Sequence, residues 1–229
     1  MSEYSQPINR AFCDAQVAPF KRAFCGGEGK SKTFRNGRFD VKSFVNRDTD
    51  GFFTRPAQTP EGKPTLTLII DCSGSMGGDP IHQAAHLAAI LSRLHQMDLV
   101  IAHVICSGWG GRRVSGFNVP MPQPDFVWDR LFAGHGCEGL SQTFHQFRDL
   151  LSKSDIVSCY TDADICDEDL TPTLWRRHGI SCVGLYCGYA GQVDVMRRYF
   201  NHAIARSNVS DLFTEYLAMA GQLLRRRHK

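Results

Sequence analysis

The sequence predicts an α/β domain of three layers, with a mostly parallel central sheet and one antiparallel edge strand. Three observations carry this expectation. From Thr65 onward, short apolar runs alternate with helical stretches, the pattern that builds parallel sheets. Several of the helical stretches open on a capping residue or a proline. The chain has 229 residues, 42% of them hydrophobic and 21% charged, so it can bury one large core but is tight for two domains.

Taken in order, residues 1–33 are short on periodicity and contain Gly26-Gly27-Glu28-Gly29-Lys30-Ser31-Lys32, so they read as a flexible extension. Gly29-Lys30-Ser31 is no phosphate-binding loop: the leading glycine of GxxxxGK[ST] is absent and no helical pattern follows. Residues 34–64 are expected to pack on a domain formed by 65–229. Within it, strands are predicted at 65–71, 99–107, 155–161 and 181–187, with a weaker pair at 112–119 and 202–206. Helices are predicted at 81–97, after Asp79-Pro80, and at 139–151, where Leu140, Phe144, Phe147 and Leu151 share a face. Thr171-Pro172 opens a further helix, and Ser210 caps a last one reaching about residue 224.

Composition narrows the function. The 26 Lys and Arg against 23 Asp and Glu leave +3, too small an excess to imply nucleic-acid or membrane binding, and neither partner is expected. The apolar runs fall well short of the roughly 20 residues that span a bilayer. The polar start of the chain shows no secretory signal. Nine cysteines make an odd count without a CxxC pair, and Cys72, Cys106, Cys159, Cys182 and Cys187 lie in apolar runs, where a thiol acts as a small hydrophobe. A reducing, cytoplasmic setting follows. Cys166, Cys182 and Cys187 lack the spacing of a zinc knuckle.

The sharpest chemical feature is Asp71-Cys72-Ser73-Gly74-Ser75-Met76, where the first strong strand ends. Ligands of open α/β sheets sit outside the carboxyl ends of the strands. One carboxylate and two hydroxyls within five residues are hard oxygen donors, suited to Mg²⁺ or Mn²⁺. Tyr160-Thr161-Asp162 follows a later strand, so Asp162 is expected on the same edge as Asp71. A third loop, Gly134-His135-Gly136-Cys137-Glu138-Gly139, precedes a helix and closes the site from the side.

Other features have simpler accounts. His82 and His86 stand four apart, a metal-compatible spacing, but without HExxH they read as partly buried helix residues. His135 is a second choice for Mg²⁺. Asp164, Asp167, Glu168 and Asp169 read as a solvated loop or a docking surface, and Arg225 to Lys229 as a basic end. Ser73 and Ser75 lack the GxSxG of a nucleophile elbow, so no independent catalysis is expected.

The DxSxS motif after a strand, with an aspartate after a later strand, resembles the von Willebrand factor A (VWA) fold and its metal-ion-dependent adhesion site (MIDAS). The resemblance implies a Rossmann-like architecture. It further implies that Ser73 and Ser75 ligate Mg²⁺ or Mn²⁺ directly, that Asp71 and Asp162 act through water, and that a partner's carboxylate completes the shell. The middle loop departs from the family, which usually has a threonine there. Setting Leu140 and Phe144 on the family's apolar positions puts Glu138 at that place, where a carboxylate could bind the ion directly; a slip of one residue would put Cys137 there instead.

Within the family, Asn36-Gly37-Arg38-Phe39-Asp40-Val41-Lys42-Ser43-Phe44 and Phe52-Phe53-Thr54-Arg55 look like the segment preceding the first strand in the aerobic cobaltochelatase large subunit, the magnesium-chelatase D subunit and the nitric-oxide-reductase activation proteins. The resemblance covers residues 34–224. With residues 1–33 ahead of it, the chain is expected to be a stand-alone module. It implies a metal-dependent protein-binding partner or adaptor of a MoxR- or chelatase-type AAA+ ATPase, in client remodelling or metal insertion. Two alternatives remain: a subunit of a cobalt or magnesium chelatase acting on a tetrapyrrole, and a phage or surface adhesion protein.

Overall fold

The computed structural model describes residues 7–24, 30–33, 38–39, 53–56, 63–110, 113–114, 116–134, 136–167, 169–189 and 191–227. Ahead of the main sheet come helices α1 (Arg10–Ala15) and α2 (Val17–Phe24). A small antiparallel sheet follows, of β1 (Lys30–Thr33), β2 (Arg38–Phe39) and β3 (Phe53–Pro56), in the order β1-β3-β2. Then run β4 (Thr65–Asp71), a 3₁₀ turn (Gly74–Met76), α3 (Asp79–Gln96), β5 (Ile101–Ser107), β6 (Trp109–Gly110), β7 (Arg113–Val114), β8 (Phe117–Val119) and α4 (Asp125–Trp128). The chain continues through α5 (Leu140–Lys153), β9 (Ile156–Tyr160), α6 (Pro172–Arg177), β10 (Cys182–Cys187), α7 (Gln192–Met196), β11 (His202–Arg206) and α8 (Val209–Arg227).

The central sheet has the order β11-β10-β9-β4-β5-β8 and is parallel throughout except for β8, which runs antiparallel on β5. The expected α/β architecture is therefore present. β4 lies inside the sheet, between β9 and β5. Successive strand residues point to opposite faces, and Leu66, Leu68 and Ile70 enter one core cluster while Ile69 enters the other. A parallel strand buried on both faces reads as a continuous apolar run, which is how residues 65–71 were legible. Thr67, the polar interruption, spends its hydroxyl on Ser154 Oγ at 2.7 Å.

The two faces carry different helices. α3 and α8, with α1 and α2, cover the face of Leu66, Leu68 and Ile70; α5, α6 and α7 cover that of Ile69. The division follows from the strand order. From β4 the chain steps outward to β5 through α3, then returns to the other side of β4 and proceeds from β9 to β11 through α6 and α7. Reversing direction while keeping one crossover hand puts the later helices on the opposite face. The reversal lies between β4 and β9, where open α/β sheets place ligands.

Several boundaries differ from expectation. Residues 10–24, read as part of a flexible extension, form α1 and α2: Asn9 Oδ1 accepts from Phe12 N at 3.0 Å to open α1, and Cys13 and Phe20 are fully buried. At six and eight residues, these helices are too short to show a period. Lys30 and Ser31 lie in β1, not before a helix. α3 begins at Asp79 with Gly78 as its cap residue. α8 is opened by Asn208, whose Oδ1 accepts from Asp211 N at 2.9 Å, while Ser210 lies inside the helix. The expected strand at 112–119 is divided between β7 and β8. Most of the 34–64 segment, at 34–37, 40–52 and 57–62, lies outside the described residues, as do His135, Glu168 and the last two residues. No described helix is long and apolar enough to cross a membrane.

Candidate metal site

Asp71 is the last residue of β4, and the register pairs Ile70 with Tyr160 and Asp71 with Ser107. Asp71, Thr161 and Ser107 therefore stand together at the carboxyl edge. Asp71 has no solvent exposure. Its Oδ1 accepts from Ser73 N at 2.8 Å, folding the chain sharply after the strand, and its Oδ2 accepts from Thr161 Oγ1 at 2.7 Å. Burial pushes the Asp71 carboxyl up from its ordinary 3.8 to about 6, against the lowering pull of these hydrogen bonds, and the Asp162 charge adds to the rise.

Ser73 is buried and Ser75 exposed, and their hydroxyls lie 3.1 Å apart. Asp162 is half-buried. Its Oδ1 accepts from Asp164 N at 3.1 Å, and its carbonyl accepts from Gln192 Nε2 at 3.1 Å. Between them, Ala163 adopts φ 67°, a left-handed conformation rare outside glycine, and its N–H meets Thr161 Oγ1 at 3.2 Å. Thr161 thus accepts from one backbone group while donating to Asp71. The sequence assigns Thr161 no role; its signal is its place directly after β9, level with Asp71 at the end of β4.

Glu138 stands just before α5 and is only 4% exposed. Its Oε1 accepts from Cys166 N at 3.2 Å, and its carbonyl accepts from Ser107 Oγ at 2.6 Å. Ser107 Oγ is in turn 2.8 Å from Thr143 Oγ1, which fixes the first turn of α5 to the end of β5. Among the described residues, Glu138 Oε2 is buried without a hydrogen-bond partner. Cys137, the alternative if the loop slipped, is exposed, as is Cys166, whose thiol is pushed up chiefly by the Glu138 charge.

The structure thus joins Asp71, Ser73 and Ser75 in one hydrogen-bonded turn, and Asp162 close enough for its charge to act on Asp71. Glu138 is tied instead to Cys166 and Ser107. Among the described residues, no cluster of three or more His, Cys, Asp or Glu converges to hold an ion. Any cation here would therefore lean on the serine hydroxyls. The donors present, hydroxyls beside a buried carboxylate and a second carboxylate with an oxygen unpaired among the described residues, suit a hard divalent ion such as Mg²⁺ or Mn²⁺.

Three of the other candidates, His86, Asp167 and Asp169, have hydrogen-bond partners within the fold. His86 Nε2 accepts from Asn9 N at 3.1 Å and its Nδ1 lies 2.9 Å from His82 O, so both ring nitrogens are engaged. Asp167 accepts from Ser141 N at 2.9 Å and Asp169 from Ser141 Oγ at 2.7 Å, so two of the acidic residues hold the first turn of α5.

No protein-family model matches the chain, and no curated protein matches it. Among solved structures, the pilus adhesin SpaC from Lactobacillus rhamnosus GG aligns over 76% of this chain and 32% of its own, with 11% identity and a TM-score of 0.48. The chain spans about a third of that adhesin's length.

Proposed function

We propose that this chain is a metal-dependent protein-docking module of the VWA type, without catalysis of its own, which serves as partner or adaptor of a MoxR- or chelatase-type AAA+ ATPase. The observation that carries the reading is the turn after β4: a buried Asp71 holds Ser73 N and Thr161 Oγ1, leaving the Ser73 and Ser75 hydroxyls side by side at the sheet's carboxyl edge. Bound there, Mg²⁺ or Mn²⁺ would supply an open coordination position for an acid of the partner. Ser73 and Ser75 would hold the ion directly. Asp71 and Asp162 would orient its water ligands, since both oxygens of Asp71 already accept protein hydrogen bonds. Glu138 would offer its unpaired oxygen in place of the family's threonine. The eight described cysteines are free thiols, which supports a reducing, cytoplasmic setting.

The test is calorimetric titration of Mg²⁺ and Mn²⁺ into EDTA-treated protein, beside a variant carrying Asp71→Ala and Ser73→Ala. The parent should bind one ion saturably and the variant about 100-fold more weakly or not at all. A purified MoxR-type ATPase should then be retained by the parent with Mg²⁺ and released by EDTA. A parent that binds neither ion overturns the metal reading; an ion-loaded parent that retains no such ATPase overturns the assigned partner.

A further inference from the structure

Two of the largest exposed apolar side chains stand in turns that are fastened to the candidate metal site. Phe132 is 64% exposed and Tyr189 is 80% exposed. Each ring lies over a glycine. A Cβ at Gly134 would fall 2.2 Å from Phe132 Cε1, and one at Gly191 would fall 2.2 Å from Tyr189 Cε1. Only a bare backbone admits rings this close in these rotamers, and solvent covers most of each ring's surface.

Each of these ring-bearing turns is also tied to the site. Gly134 N donates to Cys72 O at 3.1 Å, one residue before Ser73. On the other side, Gln192 follows Gly191, its N donates to Tyr189 O at 3.2 Å, and its Nε2 donates to Asp162 O at 3.1 Å. In the sheet, Tyr189 follows β10, Asp162 follows β9, and the Phe132 turn is fastened to the residue after β4. Along the carboxyl edge the order is Tyr189 turn, acidic loop, serine turn, with the Phe132 turn fastened beside the last.

We propose that Phe132 and Tyr189 form an aromatic bracket that selects the segment docking at the metal: an extended stretch of partner chain with one central carboxylate and a bulky apolar side chain two residues to each side. This rests on the metal-docking reading above. Charge complementarity singles out the central group. Asp71 and Asp162 repel an acid until a divalent cation compensates them, so the partner's carboxylate is admitted only with the ion. Spacing sets the flanks. The ends of β10 and β4 are two strand spacings apart, about 10 Å, with Phe132 fastened at the β4 end; in an extended chain, residues four apart stand about 13 Å from each other. Mostly exposed aromatic side chains are efficient anchors, because they bury a large area for the few rotatable bonds they fix.

The experiment uses fluorescently labelled acetyl-Phe-Gly-Asp-Gly-Phe-amide, the same peptide with Ala for both Phe, and the same with Asn for Asp. Anisotropy is read with Mg²⁺ and with EDTA. The Phe-flanked acid should bind only with Mg²⁺ and at least about fivefold more tightly than its Ala counterpart. Phe132→Ala and Tyr189→Ala should each erase most of that preference while leaving calorimetric Mg²⁺ affinity unchanged. Met97→Ala, at the far end of α3, should leave both unchanged. Equal binding of the Phe- and Ala-flanked peptides, or full preference retained by both ring variants, overturns the bracket while leaving the metal site standing. Absence of Mg²⁺ binding in the parent overturns the metal reading and this proposal with it, as does EDTA-resistant binding of the Asn peptide.

Discussion

Asp71 and Glu138 are both buried carboxylates near the carboxyl edge of one sheet, yet their surroundings differ. Asp71 accepts a hydrogen bond at each oxygen, one from its own turn and one from Thr161 on the neighbouring strand's loop. Among the described residues, Glu138 has a partner for Oε1 and none for Oε2. The first arrangement holds a loop in shape whether or not an ion is present. The second leaves a buried oxygen with unmet capacity, which ordinarily costs about 1–3 kcal/mol. Under the proposed metal site the lesson is a division of labour: Asp71 would shape the cradle, and Glu138 would be the carboxylate with a lone pair to give.

The largest expected effect tests the Asp71 half. Its carboxyl is raised to about 6 from 3.8, so the folded state holds the proton more tightly than the unfolded chain. The stabilisation is full below the unfolded value and is lost as pH rises through the folded one. In EDTA, denaturant titrations should show the parent losing on the order of 3 kcal/mol between pH 4 and pH 7 relative to Asp71→Asn, which cannot titrate. Saturating Mg²⁺ should cancel the loss near neutrality, and ion affinity should fall as pH drops below about 6. A parent and variant whose stabilities run parallel across that range would show that Asp71 carries no such burden.

The Glu138 half is tested by affinity. Glu138→Gln should weaken Mg²⁺ binding about tenfold while moving apo stability by no more than about 1 kcal/mol. Calorimetry on Glu138→Thr sharpens the contrast: an affinity equal to the parent's rules out direct ligation by Glu138. The smallest effect concerns the turn between the two strands' loops. Ala163 is buried with a positive φ, and Ala163→Gly should raise the denaturation midpoint by an amount equivalent to about 0.5–1 kcal/mol. A lower midpoint would mean that packing of the Ala163 methyl outweighs the backbone strain.

How far these features could be read ahead of the structure depended on how local their causes are. Residues 65–71 carry their own signature, a run buried on both faces, and the strand begins and ends where expected. The Asp71–Ser75 turn is local too, since Asp71 caps a backbone group two residues on. Thr161 acts on Asp71 only because β9 lies beside β4 in a register that pairs Ile70 with Tyr160, and neither segment alone reports that. The unpaired oxygen of Glu138 depends on Cys166, 28 residues later. Asp164 and Asp169 are exposed, as a solvated loop would have them, while the hold of Asp167 and Asp169 on the α5 turn spans 26 and 28 residues that no local pattern reports.

The seating of the first two helices has a practical consequence for anyone trimming this protein. Ile8, Cys13 and Phe20 belong to the same buried cluster as α3 and α8, and Ile8 N donates to Asp129 Oδ1 at 2.7 Å. Arg93 reaches both Asp14 and Asp125, with Arg10 completing the cluster on Asp125. A fragment begun at Thr65, where the parallel sheet starts, would strip this cover and turn an alanine-rich helix face out to water. Such a fragment would be sticky for reasons unrelated to its binding site, and its self-association would be easily mistaken for docking.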